Sequence, residues 1–167
     1  MRKAPDVPIN YMTTDYDELA IVVIADYTVP VGRVWEAFLD PRQIERFWGR
    51  PSHPAAFDRH DGTPGGRSGY VTTAPDGSRS RHCWEWTEVD APHRFEVRDR
   101  AAAEDGTPDA DDPGTRVVVE IDESPFGSRL TMTTRFESSE QLEQLLFKGL
   151  NEGMRSAVAQ IDAVVAE

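Results

Sequence analysis

The chain has 167 residues, of which 38% are hydrophobic and 29% are charged, and its formal net charge at pH 7 is −12. This length and composition are typical of one folded domain with a hydrophobic core. A surface of this charge repels phosphate backbones and anionic lipids on average, so we expect neither nucleic acid nor a membrane as a partner. No apolar run approaches the roughly 20 residues that a membrane span needs.

The single cysteine, Cys83, excludes an internal disulfide bond. Because the start of the sequence also lacks the apolar core of a secretory signal, we expect a cytoplasmic location. We interpret Cys83 as a small buried or half-buried thiol, and a reactive thiol is the alternative.

The beginning of the sequence divides into an arm and a strand. Residues 1–17 show no clear period, so we expect a partly ordered N-terminal arm before a single domain at residues 18–167. Residues 18–29 are rich in β-branched side chains and predict a long strand. Period-two alternation places four side chains on its inward face: Ile21, Val23, Ala25 and Tyr27.

Two short helices are predicted next, at residues 31–40 and 41–49, because apolar side chains recur there at helical spacing. Asp40 is placed to cap the second helix, with Pro41 at its first position. From residue 50 the period changes to two, and short turns separate the apolar runs, as in an antiparallel meander. The strands predicted in this part are 53–59, 67–74, 79–89, 93–100, 115–122 and 127–136.

The segment 101–114 differs from its surroundings because it is acidic, rich in Pro, Gly and Asp, and nearly free of large apolar side chains. We interpret it as a solvated, mobile hairpin loop. Its carboxylates do not have the spacing of a calcium loop. We therefore expect no metal site there.

The last element is predicted to be one long helix that begins with a capping box at Ser138 and Gln141 and ends near residue 166. Gly149 and Gly153 lie four residues apart on its apolar stripe, although glycine in a helix interior costs roughly 1 kcal/mol relative to alanine. Two explanations stay open. Either the sheet backbone approaches the helix at these positions, or the space is left for a ligand.

The element order predicts an α+β fold in which a curved antiparallel sheet of about six to seven strands wraps around the C-terminal helix. The segment VGRVWEAFLDPRQIERFWG resembles the opening of the family of homologues of the activator of heat-shock protein 90 ATPase. WTEVDAPHRFEV and TRFESSEQLEQLLFKGLNEGM resemble its later blocks. This family belongs to the START-like (SRPBCC) helix-grip superfamily, and the resemblance covers nearly the whole chain.

The resemblance implies a helix-grip fold and, as a habit of the superfamily, a cavity for a hydrophobic or amphipathic small molecule. Many relatives carry Met and then Trp where this chain has Leu150 and Met154, which implies a different or roomier cavity. The segment 101–114 is also longer than usual in the family. At Arg94, the resemblance implies an arginine that tethers the adjacent turn through a carboxylate.

Alternation along the predicted strands points an aromatic-rich set of side chains at the helix, as in small-molecule pockets. The alternative is that each of these side chains only packs in the hydrophobic core. The predicted ligand-binding residues are Trp48, Phe57, Tyr70, His82, Trp84, Trp86, Phe95, Met132, Thr134, Phe136, Leu146, Leu150 and Met154.

Within this set, His82 and Tyr70 are the weak candidates for acid–base catalysis, on adjacent strands. Orientation of a ligand or a purely structural role are the alternatives for His82. The other histidines, His53, His60 and His93, lie near loops, and no metal-binding or nucleophile motif is present. We therefore expect no metal and no cofactor.

Three functions remain open at this point. We favour binding of a hydrophobic small molecule, and the alternatives are a cyclase- or hydratase-type enzyme and contact with a chaperone ATPase. In the eukaryotic activator of the resembled family, a further N-terminal domain makes much of the chaperone contact, and the arm before residue 18 is too short for one. A homodimer is a further open alternative.

Overall fold

A computed structural model describes residues 9–167 of the chain, with side chains from residue 11 onward. Residues 1–8 of the predicted arm lie outside the described residues. One antiparallel sheet of eight strands forms the frame of the fold, in the order β1-β2-β8-β7-β6-β5-β4-β3. The strands are β1 Ile9–Asp15, β2 Ala20–Tyr27, β3 Ala55–His60, β4 Arg67–Thr73, β5 Arg79–Asp90, β6 Arg94–Ala101, β7 Thr115–Ser124 and β8 Gly127–Arg135.

The predicted number of six to seven strands is wrong, because β1 adds an eighth strand within the segment predicted as an arm. β1 lies at the edge of the sheet and pairs only with β2. Its side chains from Tyr11 to Asp15 are all half-buried or exposed. A strand without a buried face needs no alternation of apolar residues, so its sequence carries no period-two signal.

The inward face predicted for β2 is confirmed, because Ile21, Val23, Ala25 and Tyr27 are at most 1% exposed. Two helices follow β2, α1 at Val31–Leu39 and α2 at Pro41–Ile44. The Asp40 cap is confirmed, since its Oδ1 atom accepts from the Arg42 backbone N–H over 2.9 Å. α2 is shorter than predicted and passes into a turn after Ile44.

The prediction of one long C-terminal helix is wrong, because the chain forms two helices, α3 at Ser139–Phe147 and α4 at Leu150–Val165. Gly149 separates them with a φ of 91°, in the left-handed region that favours glycine. The helical period of the apolar side chains continues across this break, which explains why the pattern predicted a single helix. The predicted cap is confirmed, since Ser138 Oγ accepts from the Gln141 N–H over 3.1 Å.

Neither of the two explanations for Gly149 and Gly153 holds, because the side chain of Arg50 covers both glycines. A Cβ atom on Gly149 would lie 3.1 Å from Arg50 Nη1, and a Cβ atom on Gly153 would lie 3.8 Å from Arg50 Cδ. Arg50 follows α2 in the chain, so the loop after α2 packs on the break between α3 and α4. A side chain at Gly149 would therefore crowd Arg50 as well as strain the backbone, whereas one at Gly153 would only contact Arg50.

One buried and one partly buried hydrogen bond hold α4 against β2 and α1. The Tyr27 hydroxyl donates to the Val158 carbonyl over 2.9 Å, and Arg33 Nη2 donates to the Val164 carbonyl over 2.8 Å. A cationic group at the last carbonyls of a helix also suits the helix dipole. α4 is thus fixed along its length, with buried side chains from Met154 to Val165.

The acidic segment 101–114 is organised by its own side chains. Asp105 Oδ1 accepts from the Thr107 N–H over 2.9 Å, and Asp112 Oδ2 accepts from the Ala101 N–H over 2.7 Å. The side chains of Glu104 and Asp105 are exposed. The segment therefore forms a loop with several turns between β6 and β7. Its mobility remains a prediction. In the part of the chain described, no helix has the length and apolar character that crossing a membrane requires.

Candidate ligand-binding site

A tyrosine and an aspartate from different strands meet on the inner face of the sheet. The Tyr70 hydroxyl donates to Asp99 Oδ2 over 3.2 Å and accepts from the Trp48 indole Nε1 over 3.1 Å. Pairing of β5 with β6 sets Trp84 opposite Asp99, and pairing of β4 with β5 sets Tyr70 opposite His82. We call these five residues, Trp48, Tyr70, His82, Trp84 and Asp99, the polar corner.

The predicted proximity of His82 and Tyr70 on adjacent strands is confirmed. The two rings stack with centroids 4.8 Å apart and an angle of 13° between their planes. Tyr70 is buried, whereas His82 is half-exposed. His82 therefore lies on the solvent side of the polar corner.

The protonation of the polar corner follows from its burial. The Asp99 residue keeps some exposed surface, but protein surrounds its carboxyl group, and this burial raises the pKa of that carboxyl while the nearby His82 opposes part of the rise. Burial and, second, the charge of Asp99 hold the pKa of Tyr70 well above its usual value near 10. Tyr70 therefore keeps its proton at neutral pH and acts as a hydrogen-bond donor, while Asp99 is an acceptor that also takes up a proton more readily than an exposed aspartate.

The indole N–H of Trp84 completes the polar corner as a donor without a well-formed hydrogen bond. Trp84 is fully buried and near enough to Asp99 and Tyr70 to oppose part of the rise in the pKa of both groups. Its Nε1 nevertheless makes no hydrogen bond of ordinary geometry with any of the described residues. Because a buried N–H without a partner costs about 1–3 kcal/mol, a further acceptor in this corner would be stabilising.

Away from the polar corner, the aromatic side chains fill the space between the sheet and α1. Trp86 and Phe95 lie with ring centroids 4.8 Å apart, and Phe95 contacts Phe38 of α1 at 5.4 Å. The Trp86 indole N–H is satisfied by Ser68 Oγ at 2.9 Å. This deep part of the interior is packed core.

The residues predicted to bind a ligand divide by exposure into an inner group and a rim. Four of them are half-exposed and form the rim: Trp48, His82, Leu146 and Leu150. The others are buried: Phe57, Tyr70, Trp84, Trp86, Phe95, Met132, Thr134, Phe136 and Met154. The structure brings Trp48, Tyr70, His82 and Trp84 together in the polar corner. Trp86 and Phe95 belong to the packed interior instead.

Helix α3 borders the same end of the sheet as the polar corner. Gln141 Nε2 donates to the Gly114 carbonyl over 2.8 Å, and Gly114 packs against the backbone of Asp99. The backbone of α4 approaches β1 and β2 closely, whereas that of α3 approaches α4 more than it approaches any strand. The side chains of Leu145 and Leu146 are partly buried and pack against the hydrophobic core at this end of the sheet.

Asp99 is the site residue that the sequence analysis missed. It is the third member of an alternating series with Phe95 and Val97, both of which are fully buried. The same period-two argument that placed Phe95 inward also places Asp99 inward. A carboxylate at an inward position is the signal that identifies it, since buried ionisable groups cluster at functional sites.

The three remaining histidines make local hydrogen bonds, and His53 Nδ1 lies 2.8 Å from Ser52 Oγ. His60 bonds to the Phe38 carbonyl through Nε2 and to Ser68 Oγ through Nδ1, each at 2.7 Å. His93 Nδ1 lies 2.8 Å from the Ile121 carbonyl oxygen. Within residues 9–167, no group of three or more His, Cys, Asp or Glu side chains is arranged to hold a metal ion.

The sequence profile of the family described as Activator of Hsp90 ATPase homolog 1-like protein matches residues 28–166. The chain belongs to this family. No protein with a curated description matches the chain.

Solved bacterial structures agree with the family assignment. The crystal structure of a Mycobacterium smegmatis protein is 42% identical, covers 94% of this chain and 96% of its own, and superposes with a TM-score of 0.85. The solution structure of an Arthrobacter aurescens protein is 38% identical, covers 94% of this chain and 91% of its own, and gives a TM-score of 0.87.

A more distant structure extends the fold beyond close relatives. The crystal structure of an AHSA1 protein from Silicibacter pomeroyi is 17% identical, covers 85% of this chain and 96% of its own, and has a TM-score of 0.67. At this identity the likeness concerns the fold alone. The predicted α+β helix-grip fold of this family is thereby confirmed.

Proposed function

We propose that this AHSA1-family chain binds a hydrophobic or amphipathic small molecule between the sheet and the helical layer, with the polar end of the ligand in the polar corner. One observation carries the proposal. The buried Trp84 N–H makes no hydrogen bond of ordinary geometry with the described residues, although it lies beside the Tyr70–Asp99 pair in an otherwise aromatic interior. Apolar walls with a few convergent polar groups are typical of small-molecule sites.

The division of roles within the site follows from the chemistry of each group. Trp84 Nε1 and the half-exposed His82 offer donors to a ligand carbonyl or hydroxyl oxygen, and Asp99 offers an acceptor. Leu146 and Leu150 at the rim provide apolar surface for the body of the ligand. Because α3 makes few close backbone contacts with the strands and joins α4 at Gly149, its displacement would admit a ligand without unpacking the core around Trp86.

A titration with Nile red, a neutral amphipathic dye, tests this proposal. We expect a saturable rise of fluorescence with one dye bound per chain. Leu150→Trp, which fills the rim, should weaken binding at least about tenfold, since losing a few apolar contacts costs about 1–3 kcal/mol. The matched control is Phe147→Trp, because Phe147 is 94% exposed at the adjacent end of α3.

Two results of these titrations would contradict the proposal. Fluorescence that does not saturate, or equal affinity of the Leu150→Trp and Phe147→Trp variants, contradicts binding between the sheet and the helices. Circular dichroism of both variants establishes that the fold is kept.

A second candidate function is acid–base catalysis of the cyclase or hydratase type in the same site. The stacking of His82 on Tyr70, together with the Tyr70–Asp99 hydrogen bond, favours it. Such an array holds protons at three neighbouring groups and would move one to or from a bound substrate. His82→Ala would abolish turnover of a substrate without unfolding the chain, and surviving turnover would remove this candidate.

Contact with a chaperone ATPase is the third candidate, and the description of the family favours it. The test is to titrate the chain into a purified Hsp90-type ATPase. Unchanged ATP turnover at saturating chain concentration excludes this activity.

A further inference from the structure

A depression of about 230 Å³ lies on the outer face of the sheet, on the opposite side from the polar corner. Its base is formed by Gly69 and Cys83, and its walls include the side chains of Arg59, Arg67 and Arg81. The volume is smaller than that of a typical drug-sized pocket, which is about 300–1,000 Å³. It suits a compact ligand.

The strand register places the residues of this depression side by side on four neighbouring strands. Arg59 on β3 pairs with Gly69 on β4, Gly69 pairs with Cys83 on β5, and Cys83 pairs with Arg100 on β6. Two small residues thus lie between two arginines in one row across the sheet. A β-bulge between Phe57 and Arg59 inserts Asp58 beside this row, as bulges re-aim side chains.

Only some of the arginines around the base of the depression form ion pairs. Arg81 forms an ion pair with Asp58 at 2.8 Å, and Arg100 forms one with Glu85. Arg59 and Arg67 are exposed, and neither forms an ion pair of 4 Å or less among residues 9–167; Glu85, which lies opposite Arg67 in the strand register, is paired with Arg100. Two unpaired guanidinium groups at one depression stand out on a chain whose net charge is −12.

The paired arginines also retain unused donors. The Nε atoms of Arg81 and Arg100 are buried and have no hydrogen-bond partner within the described part of the chain. Unsatisfied buried donors often mark the place of a water or an ion. Since Arg81 is held by Asp58, Arg59 and Arg67 are the arginines of the depression that remain available to a ligand.

Acidic side chains at the rim restrict the ligand. Glu104 and Asp105, from the segment between β6 and β7, also line the depression and are exposed. They repel an extended polyanion such as nucleic acid. A small molecule with a single anionic group avoids this repulsion because the group reaches the arginines while the rim carboxylates stay in water.

We propose that this depression is a second binding site, for a small ligand whose carboxylate or phosphate group is held by Arg59 and Arg67. The guanidinium fork suits both groups, with two parallel N–H···O bonds to each. Asp58, which also lines the depression, lies over Gly69, where a Cβ atom would be 3.0 Å from its Oδ1. Because Asp58 is paired with Arg81, the proposed anion is held to one side of the base by Arg59 and Arg67. The site is independent of the proposed interior site.

The test is a titration of the ¹⁵N-labelled chain with inorganic phosphate and, separately, with succinate, followed by amide chemical shifts. We expect saturable shifts at Gly69, Cys83 and Gly106 with at least one of the two anions, and the responding anion identifies the group. The double variant Arg59→Gln/Arg67→Gln should weaken binding at least about tenfold, because it removes both guanidinium groups that would donate charge-assisted hydrogen bonds to the anion.

The matched control is Arg135→Gln, an exposed arginine on β8, which removes one charge far from the depression. Retained binding in this control and loss in the double variant support the site. Shifts that do not saturate with either anion, or equal affinity of the double variant and the control, overturn it. The spectra themselves show whether each variant is folded, and Nile red binding by the double variant separates this site from the interior one.

Discussion

The Tyr70 hydroxyl on β4 donates to the Asp99 carboxylate on β6 across the intervening strand β5, over 3.2 Å on the inner face of the sheet. An ionisable group in the interior is costly, and packed apolar side chains would serve stability alone as well or better. The pair is therefore the interior feature on which the proposed binding site depends. The polar corner also contains a donor without a partner, at Trp84.

Asp99→Asn should be more stable than the wild type by an amount that increases as the pH rises. The folded pKa of Asp99 is raised by burial, so the folded chain binds more protons than the unfolded chain above the usual aspartate value. Wild-type stability contributed by this group is thus present at low pH and lost as pH rises through the folded pKa. The amide oxygen of the introduced asparagine would still accept from Tyr70, and the amide does not ionise.

Urea unfolding followed by tryptophan fluorescence, from roughly pH 4 to pH 8, checks the prediction for Asp99→Asn. The control is Asp111→Asn, which changes an exposed carboxylate in the acidic segment. Parallel stability curves for Asp99→Asn and the wild type would contradict the account of a buried, costly carboxylate.

The two glycines around the helix break should respond oppositely to alanine. Gly149→Ala forces a side chain into a left-handed conformation with φ near 91°, which should cost about 1–2 kcal/mol. Gly153→Ala lies within α4 and meets Arg50 only at 3.8 Å, an ordinary contact, so it should stabilise by up to about 1 kcal/mol. Thermal unfolding of both variants measures the difference, and similar shifts of Tm in one direction would refute it.

His60 and His93 should titrate on opposite sides of the usual histidine pKa. Burial lowers the pKa of His60, whereas the hydrogen bond to the Ile121 carbonyl is the main cause of a raised pKa at His93. His60 therefore contributes stability that is present above the unfolded pKa and lost as pH falls. His93 contributes stability that is present at low pH and lost as pH rises through its folded pKa.

A proton NMR titration of the imidazole resonances measures both histidines in one experiment. Assignment comes from the variants His60→Gln and His93→Gln. A midpoint for His60 above that of His93 would contradict the hydrogen bonding described for the two rings.

Removing the Tyr27 hydroxyl should loosen the attachment of α4 to β2. Tyr27→Phe loses a buried hydrogen bond of 2.9 Å to the Val158 carbonyl, which should cost about 1 kcal/mol in the free energy of unfolding. Tyr16→Phe is the matched control, because Tyr16 is 62% exposed. Equal urea midpoints for the two variants would show that this bond does not stabilise the docked helix.

Much of the fold follows from periods in the sequence, and its exceptions have physical causes. Strands with one buried face, such as β2, alternate clearly and were predicted with the correct inward side chains. β1 was missed because an exposed edge strand leaves no such alternation. The helix break at Gly149 was missed because the apolar period continues through it, and only its positive φ distinguishes it from an interior glycine.

The candidate site was predicted in part for the same reason. Alternation along β4 and β5 correctly brought Tyr70 and His82 together, because register on a half-buried sheet is well specified. The contact of Trp48 with Tyr70 depends on how the loop after α2 folds back, which no local pattern encodes. The arrangement of arginines around Gly69 on the outer face likewise requires the register of four strands.

Native mass spectrometry of the freshly purified chain, beside its mass after denaturation, tests most directly whether the interior binds a ligand. We expect extra mass in the native state that is lost on denaturation and absent from the Leu150→Trp variant, while Phe147→Trp retains it. A native mass equal to the denatured mass in all three proteins, together with no saturable binding of Nile red, would contradict the proposed binding function.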